Sequence, residues 1–264
     1  IIKHSFIDLK YKLNIMSKIK KEKWNYGDFS TPIVMGILNV TTDSFYDGNK
    51  YLTNPQIINQ IKKIENEGAK IIDVGASSSR PGSTPVSEKT EIARLLPTIE
   101  LIKKNSSNLK ISIDTFRSNV ARECIKNGAD IINDISAGQK DSNMFKTITE
   151  LNVPYVMMHM KGDSISMQEN PTYNDIISEI ITFFNKKIKK LNMLGFDKII
   201  IDPGFGFGKT LEHNYEILNN LYKFNKLGYP LLIGASRKSM IYNLLNKTPQ
   251  EVLNGTSIVN TISL

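Results

Sequence analysis

The sequence predicts an α/β protein, a (β/α)8 barrel (TIM barrel) whose eighth strand is missing from the chain, on three observations. Ile-rich apolar runs alternate with segments of helical period along most of the chain. Four of these runs reach a polar residue at or near their end: GILN at Asn39, ISID at Asp114, DIIND at Asn133 and IIID at Asp202. The length of 264 residues suits one barrel of this kind. In a parallel barrel the strand ends lie together, so Asn39, Asp114, Asn133 and Asp202 would gather at the face where active sites form. Helix capping explains any one of them more readily than all four.

Each element has its own signal. Ile33 to Leu38 is the first strand, and Pro55 then opens a helix on which Ile57, Ile58, Ile61 and Ile64 recur until Gly68. Lys70 to Val74 is the second strand, and the loop ASSSRPGSTPVS is too rich in turn formers to be regular and too long for a minimal connection. It is a candidate substrate loop. Helix Glu88 to Lys104 precedes strand Lys110 to Asp114. Ser118 should cap a helix over Asn119 to Asn127, ahead of strand Ala129 to Asn133. Helix Asp141 to Leu151, strand Pro154 to His159 and a long helix from Tyr173 to Leu194 follow. Strand Lys198 to Asp202, helix Asn214 to Asn225 and strand Pro230 to Ala235 complete seven strands, with helical stretches over Ser236 to Leu245 and Pro249 to Leu264. Right-handed crossovers would close the strands into a barrel one member short.

The formal charge of +8 is partly local, because residues 1–30 hold seven Lys against Asp8, Glu22 and Asp28. That segment reads as a basic leader or linker, and residues 31–264 as one domain, C-terminally incomplete. The leader lacks an amphipathic period, so neither a nucleic-acid nor a membrane partner is expected. Cys124 is the single cysteine, which excludes a disulfide framework and fits a reducing cytosol; a buried packing role suits it better than a nucleophilic one. No apolar run approaches the roughly 20 residues of a membrane span. A soluble cytoplasmic protein is expected.

Asp114, Asn133, Asp202 and Lys238 would combine two acceptors, an amide and a cation at one end of the barrel. Such a set suits a flat heterocycle: a carboxylate accepts from an amino-pyrimidinone edge while Lys and Asn serve carbonyl and ring nitrogens. Paired acids for proton transfer remain an alternative. His4, His159 and His213 are scattered, which argues against zinc, and His159 reads as packed or hydrogen-bonded at a strand end. GFGFGK satisfies neither phosphate-loop spacing. Arg80 in SRPG, and Arg237 with Lys238, are better anion candidates.

Seven motifs in order, GILNVTTDSF, IIDVGASSSRPG, SIDTF, INDIS, MHM, DPGFGFGK and GASRKS, resemble the dihydropteroate synthase family from about Pro32 onward. The resemblance implies a transferase that joins hydroxymethyl-dihydropterin pyrophosphate to p-aminobenzoate, releasing pyrophosphate. It implies Asp114, Asn133, Met158, Asp202, Phe207 and Lys238 as the pterin-binding set, with Met158 and Phe207 as apolar walls. Asn39 would be the ligand of a Mg²⁺ cofactor bound with pyrophosphate. Ser79, Arg80, Pro81, Lys238 and Ser239 would face p-aminobenzoate, and Asp43, Arg80 and Lys238 would be the catalytic residues. The implied route is dissociative, with Asp43 stabilising positive charge on the pterin methylene before the amine attacks.

The chain departs from the family at Thr42, where Pro is usual, at Ser79, where Thr is usual, at Ala76-Ser77, where Gly-Glu is common, and in the absence of a closing strand with Arg-x-His. A homodimer and sensitivity to sulfonamides are further implications. Two other readings compete: a methyltetrahydrofolate-binding methyltransferase domain, which would not be expected to carry the NVTTDSF and SSRPG loops, and a non-catalytic pterin-binding module.

Overall fold

The structure, a computed structural model, describes residues 31–40, 54–77, 86–162, 167 and 171–264. The leader and the predicted site residues Asp43, Ser79, Arg80 and Pro81 lie outside the described residues.

Strands and helices alternate as β1 (Met35–Asn39), α1 (Asn54–Asn66), β2 (Ile71–Gly75), α2 (Glu88–Asn105), β3 (Lys110–Asp114), α3 (Ser118–Lys126), β4 (Ile131–Asp134), α4 (Met144–Leu151), β5 (Tyr155–Met158), α5 (Ile176–Met193) and β6 (Ile199–Asp202). Beyond β6 come α6 (Leu211–Asn219), α7 (Leu221–Phe224), a 3-10 turn (Asn225–Leu227), α8 (Ser239–Tyr242) and α9 (Leu253–Ser263). The six strands form one parallel sheet in sequential order. This is the β/α-barrel winding, and the sheet stays open among the described residues.

The predicted seventh strand, Pro230 to Ala235, is reduced to one parallel bridge between Leu231 and Ile201. Ile201 N donates to Pro230 O at 3.0 Å and Leu232 N to Ile201 O at 2.9 Å. The run is bonded through β6, and no extended ladder forms.

Because strands alternate their side chains, the sheet sorts its residues onto two faces. Ile72, Val74, Ile111, Ile113, Ile132, Tyr155, Met157, Ile199 and Ile201 belong to the outer core, with helix residues such as Ile61, Leu95, Ile99, Ile148, Ile180 and Phe184. A separate cluster of Ile71, Ile131, Val156 and Ile200, joined by Met35 and Leu232, fills the base of the inner face. Residues two further along each strand therefore face inward above an apolar plug, which lifts the polar strand ends toward the mouth.

Several boundaries differ from expectation for local reasons. Ser118 is not a cap: it is the first residue of α3, and Asp141 Oδ2 accepts its N–H at 2.7 Å. Helix α6 starts at Leu211 rather than Asn214 because Thr210 and His213 form a capping box. It ends at Asn219, giving way to α7 and the 3-10 turn. Asp175 caps α5 through Ser178 N at 3.0 Å and so sets its start at Ile176 rather than Tyr173. The stretch Ser236 to Leu245 yields the single turn of α8, since Arg237 adopts a left-handed conformation (φ 51°) that helices exclude.

Candidate active site

Register brings three of the predicted residues into one row. Asn39 pairs with Gly75, Gly75 with Asp114, and Asp114 with Asn133. Gly75 leaves room between them: a Cβ there would lie 3.1 Å from Asn39 Oδ1 and 3.5 Å from Asp114 Oδ2. Those two oxygens therefore flank the same gap. Asp202 pairs with Met158 at the ends of β6 and β5. Met158 clusters with Ile135, Met160 and Met167, and Phe207 packs against that cluster, so both expected apolar walls share one surface.

Beneath the row lies Asp73 on β2, buried, with both carboxylate oxygens engaged. Oδ1 accepts from Ser112 Oγ at 2.6 Å and Oδ2 from Asn133 Nδ2 at 3.0 Å. Burial pushes the Asp73 carboxyl above its ordinary range, opposed by these two hydrogen bonds and reinforced by the charge of Asp202. Asp114 is driven well above the same range by burial and by the neighbouring carboxylates of Asp73, Glu91 and Asp134. Asp202 is raised by burial too, against the pull of Lys238, the Gly204 N–H at 2.7 Å and Lys209. Asp73 thus feels Asp202, and Asp114 feels Asp73, which puts the three acids within reach of one another.

Two lysines answer them. Lys238 stands just ahead of α8, after the left-handed Arg237, whose N–H is fixed by Thr256 Oγ1 at 3.0 Å. Its Nζ donates to the Phe205 carbonyl and lies 4.8 Å from the centre of the Phe207 ring. Burial lowers its pKa to about 8, with Asp202 working in the other direction. Ser239 follows as the first residue of α8. Lys209 is fully enclosed, 3% exposed, and donates to the carbonyls of Gly204 at 2.8 Å, Phe207 at 2.9 Å and His159 at 3.2 Å. Burial brings its pKa down to about 7.

The loop after β6 is pressed against β5 in a way that only glycine permits. Gly204 has φ +72°, and a Cβ there would overlap the His159 carbonyl oxygen. His159 itself is packed: its ring lies edge-on to Phe183 at 5.0 Å, and Nδ1 has no hydrogen-bond partner among the described residues. Burial lowers its pKa to about 2, so it is neutral. Cys124 is buried in α3 and its thiol is pushed up to about 12, which removes it as a nucleophile.

The site therefore gathers Asn39, Asp114, Asn133, Met158, Asp202, Phe207 and Lys238 around the C-terminal ends of the strands, and Ser239 is placed only as the neighbour of Lys238 in the chain. Asp73, Ser112 and Lys209 are the additions that sequence reasoning missed. An acid inside the apolar run IIDVG was a legible signal, because an inward carboxylate two residues before a strand end needs partners. Lys209, in a glycine-rich loop, carried no comparable mark. A wall of thioether and aromatic groups beside carboxylates, an amide and a half-buried ammonium accommodates a flat polar ring edge-on.

The family described as "Pterin binding enzyme" matches residues 35–264. Dihydropteroate synthase of Escherichia coli (strain K12) is 43% identical over 231 residues, covering 87% of this chain and 81% of that protein. Among solved structures, Yersinia pestis dihydropteroate synthase in complex with a sulfonamide drug superposes with a TM-score of 0.84 at 38% identity, covering 89% of this chain and 85% of that one. The Xanthomonas albilineans dihydropteroate synthase with 4-aminobenzoic acid gives 0.80 at 36% identity over 88% and 83% of the two chains. The chain belongs to the pterin-binding enzyme family, as a transferase of the dihydropteroate synthase type.

Proposed function

We propose that this chain condenses hydroxymethyl-dihydropterin pyrophosphate with p-aminobenzoate to give dihydropteroate and pyrophosphate. The observation that carries the reading is the convergence of Asp114, Asn133, Asp202 and Lys238 over one apolar wall formed with Met158 and Phe207. The carboxylates accept from the N–H groups of the pterin edge, and Lys238 donates to it. Bond breaking at the pterin methylene sends the electron pair out with pyrophosphate, and Asp43 stabilises the cation left behind. The amine of p-aminobenzoate, held by Ser79, Arg80, Pro81, Lys238 and Ser239, attacks that carbon and then loses its proton. Little acid–base machinery is required, which agrees with a neutral His159 and an inert Cys124.

The donor set suits Mg²⁺. Asn39 offers a hard neutral oxygen near Asp114 Oδ2, and no cluster of three acidic, His or Cys side chains stands ready for a metal among the described residues. A cation held there would take most of its ligands from pyrophosphate and water. Bound magnesium supplies charge neutralisation to the departing group.

A homodimer and a cytoplasmic location complete the proposal. The first is supported by α9, where Ile258 and Ile262 lie one turn apart and are both exposed. The second is consistent with the single buried thiol, and no helix among the described residues is long and apolar enough to cross a membrane.

The test is pyrophosphate release measured with and without p-aminobenzoate. Release that depends on the amine supports the transferase; tight pterin binding with no amine-dependent release overturns it in favour of a binding module.

A further inference from the structure

Two neighbouring residues of β4 face opposite ways. Strand alternation turns Asn133 toward the inner face and sends Asp134 to the outer one, where Ile132 and Tyr155 belong to the core beneath the helices. Asp134 is buried there, and its carboxylate is fully engaged. Oδ1 accepts from Ser136 N and Ser136 Oγ, each at 2.7 Å, and Oδ2 from Gly138 N at 2.7 Å and Tyr155 Oη at 2.6 Å. The carboxylate thereby closes the turn that follows β4, in which Ala137 and Gly138 take a left-handed backbone (φ 49° and 71°). Tyr155 opens β5 and is itself wholly buried, its ring edge-on to Phe145 with the centroids 6.1 Å apart. Its hydroxyl ties the turn to the neighbouring strand.

Ile135 lies between the acid and the donors it gathers. Its side chain returns to the inner side, in the cluster with Met158 and Met160 against which Phe207 packs. The main chain on either side of Ile135 is thus bracketed by hydrogen bonds made behind the sheet, while its side chain belongs to the wall of the pocket.

We propose, on the pterin reading above, that Tyr155 and Asp134 are positioning residues that act on pterin binding from behind the sheet, by holding Ile135 against the ring beside Met158 and Phe207. An apolar wall helps a flat ring only at van der Waals distance, and a gap of about 0.5–1 Å forfeits a quarter to a half of each contact. A turn tied down before the ligand arrives keeps that distance at no cost on binding. Without the Tyr155 hydroxyl, Asp134 Oδ2 loses one of its donors and the turn loses this tie to β5.

A double-mutant cycle on the full chain tests this, with the Kd for hydroxymethyl-dihydropterin read by calorimetry. Tyr155→Phe removes the hydroxyl and keeps the ring, and should weaken binding about fivefold. Ile135→Ala should weaken it about tenfold. In the double variant the Tyr155→Phe step should cost less than about twofold, because the side chain through which it acts has already been shortened. A tyrosine that serves only the stability of the core would leave the affinity unmoved, or lower it equally in both backgrounds.

A Tyr155→Phe loss of equal size in both backgrounds overturns the proposal, as does unchanged affinity in either single variant. If Tyr155→Phe does not fold, Ser136→Ala, which withdraws a hydroxyl from Asp134 Oδ1, goes through the same cycle and is judged by the same outcomes. Failure of the unmodified chain to bind the pterin overturns the pterin reading and this proposal with it.

Discussion

Lys209 Nζ donates to the Gly204 carbonyl at 2.8 Å from a position that water does not reach. With the carbonyls of Phe207 and His159 as its other acceptors, it ties the loop after β6 to the end of β5. Lys209→Met leaves these carbonyls without their donor, so stability should fall by about 2–4 kcal/mol in urea unfolding. Pterin affinity should fall with it, because Phe207 and the Asp202–Gly204 turn lose their anchor.

The same residue has a pH signature. Its pKa is 10.5 in its ordinary setting and about 7 in the fold, so the unfolded chain binds more protons between these values. Relative to Lys209→Met, the unmodified protein should gain stability as pH rises from about 7 toward 10.5. Parallel unfolding curves at several pH values measure the difference, and a gap that is flat or shrinks across that window contradicts the assignment.

Gly204→Ala should be among the most damaging small substitutions. The backbone there is left-handed, and the added methyl would meet the His159 carbonyl oxygen, a backbone atom that cannot swing aside. A loss of about 3 kcal/mol or more is expected, read as a lower thermal midpoint.

Asp114→Asn should separate stability from function. The Asp114 carboxyl is raised above its unfolded value of 3.8, so its contribution is present below that pH and is lost as pH rises through the folded value. The Asn variant escapes this loss, and its advantage over the unmodified chain should grow from about pH 4 upward. A large loss of pterin affinity should accompany that gain.

Asp202→Ala should abolish pterin binding in calorimetry, since a buried donor edge of the ring would lose its acceptor. Arg80→Ala should instead raise KM for p-aminobenzoate or slow turnover while pterin affinity holds. Equal loss of pterin affinity in both variants would contradict the division of the site into a pterin floor and an amine-binding loop.

What could be read in advance followed from chemistry that is local to the chain. The apolar runs in β2 to β6, Ile-rich in all but β5, are buried on both faces along most of their length and needed no knowledge of their partners to be recognised as strands. The polar ends of β3, β4 and β6 were equally plain, because a parallel winding carries every strand terminus to one side. Helix starts were less legible: Ser118 resembled a cap, yet the N–H it exposes is taken by Asp141, 23 residues further on.

By itself, the sequence determined a parallel α/β winding with Asn39, Asp114, Asn133 and Asp202 at its strand ends, since hydrophobic period and chain direction suffice for that. Which groups meet was set by the folded chain: Asp73 under Asn133, Lys209 among three carbonyls, and Gly204 pressed against the His159 carbonyl. The physical reason is that a buried charge or amide is tolerated only with partners, and here those partners come from other strands and loops, brought near by register and closure rather than by spacing along the chain.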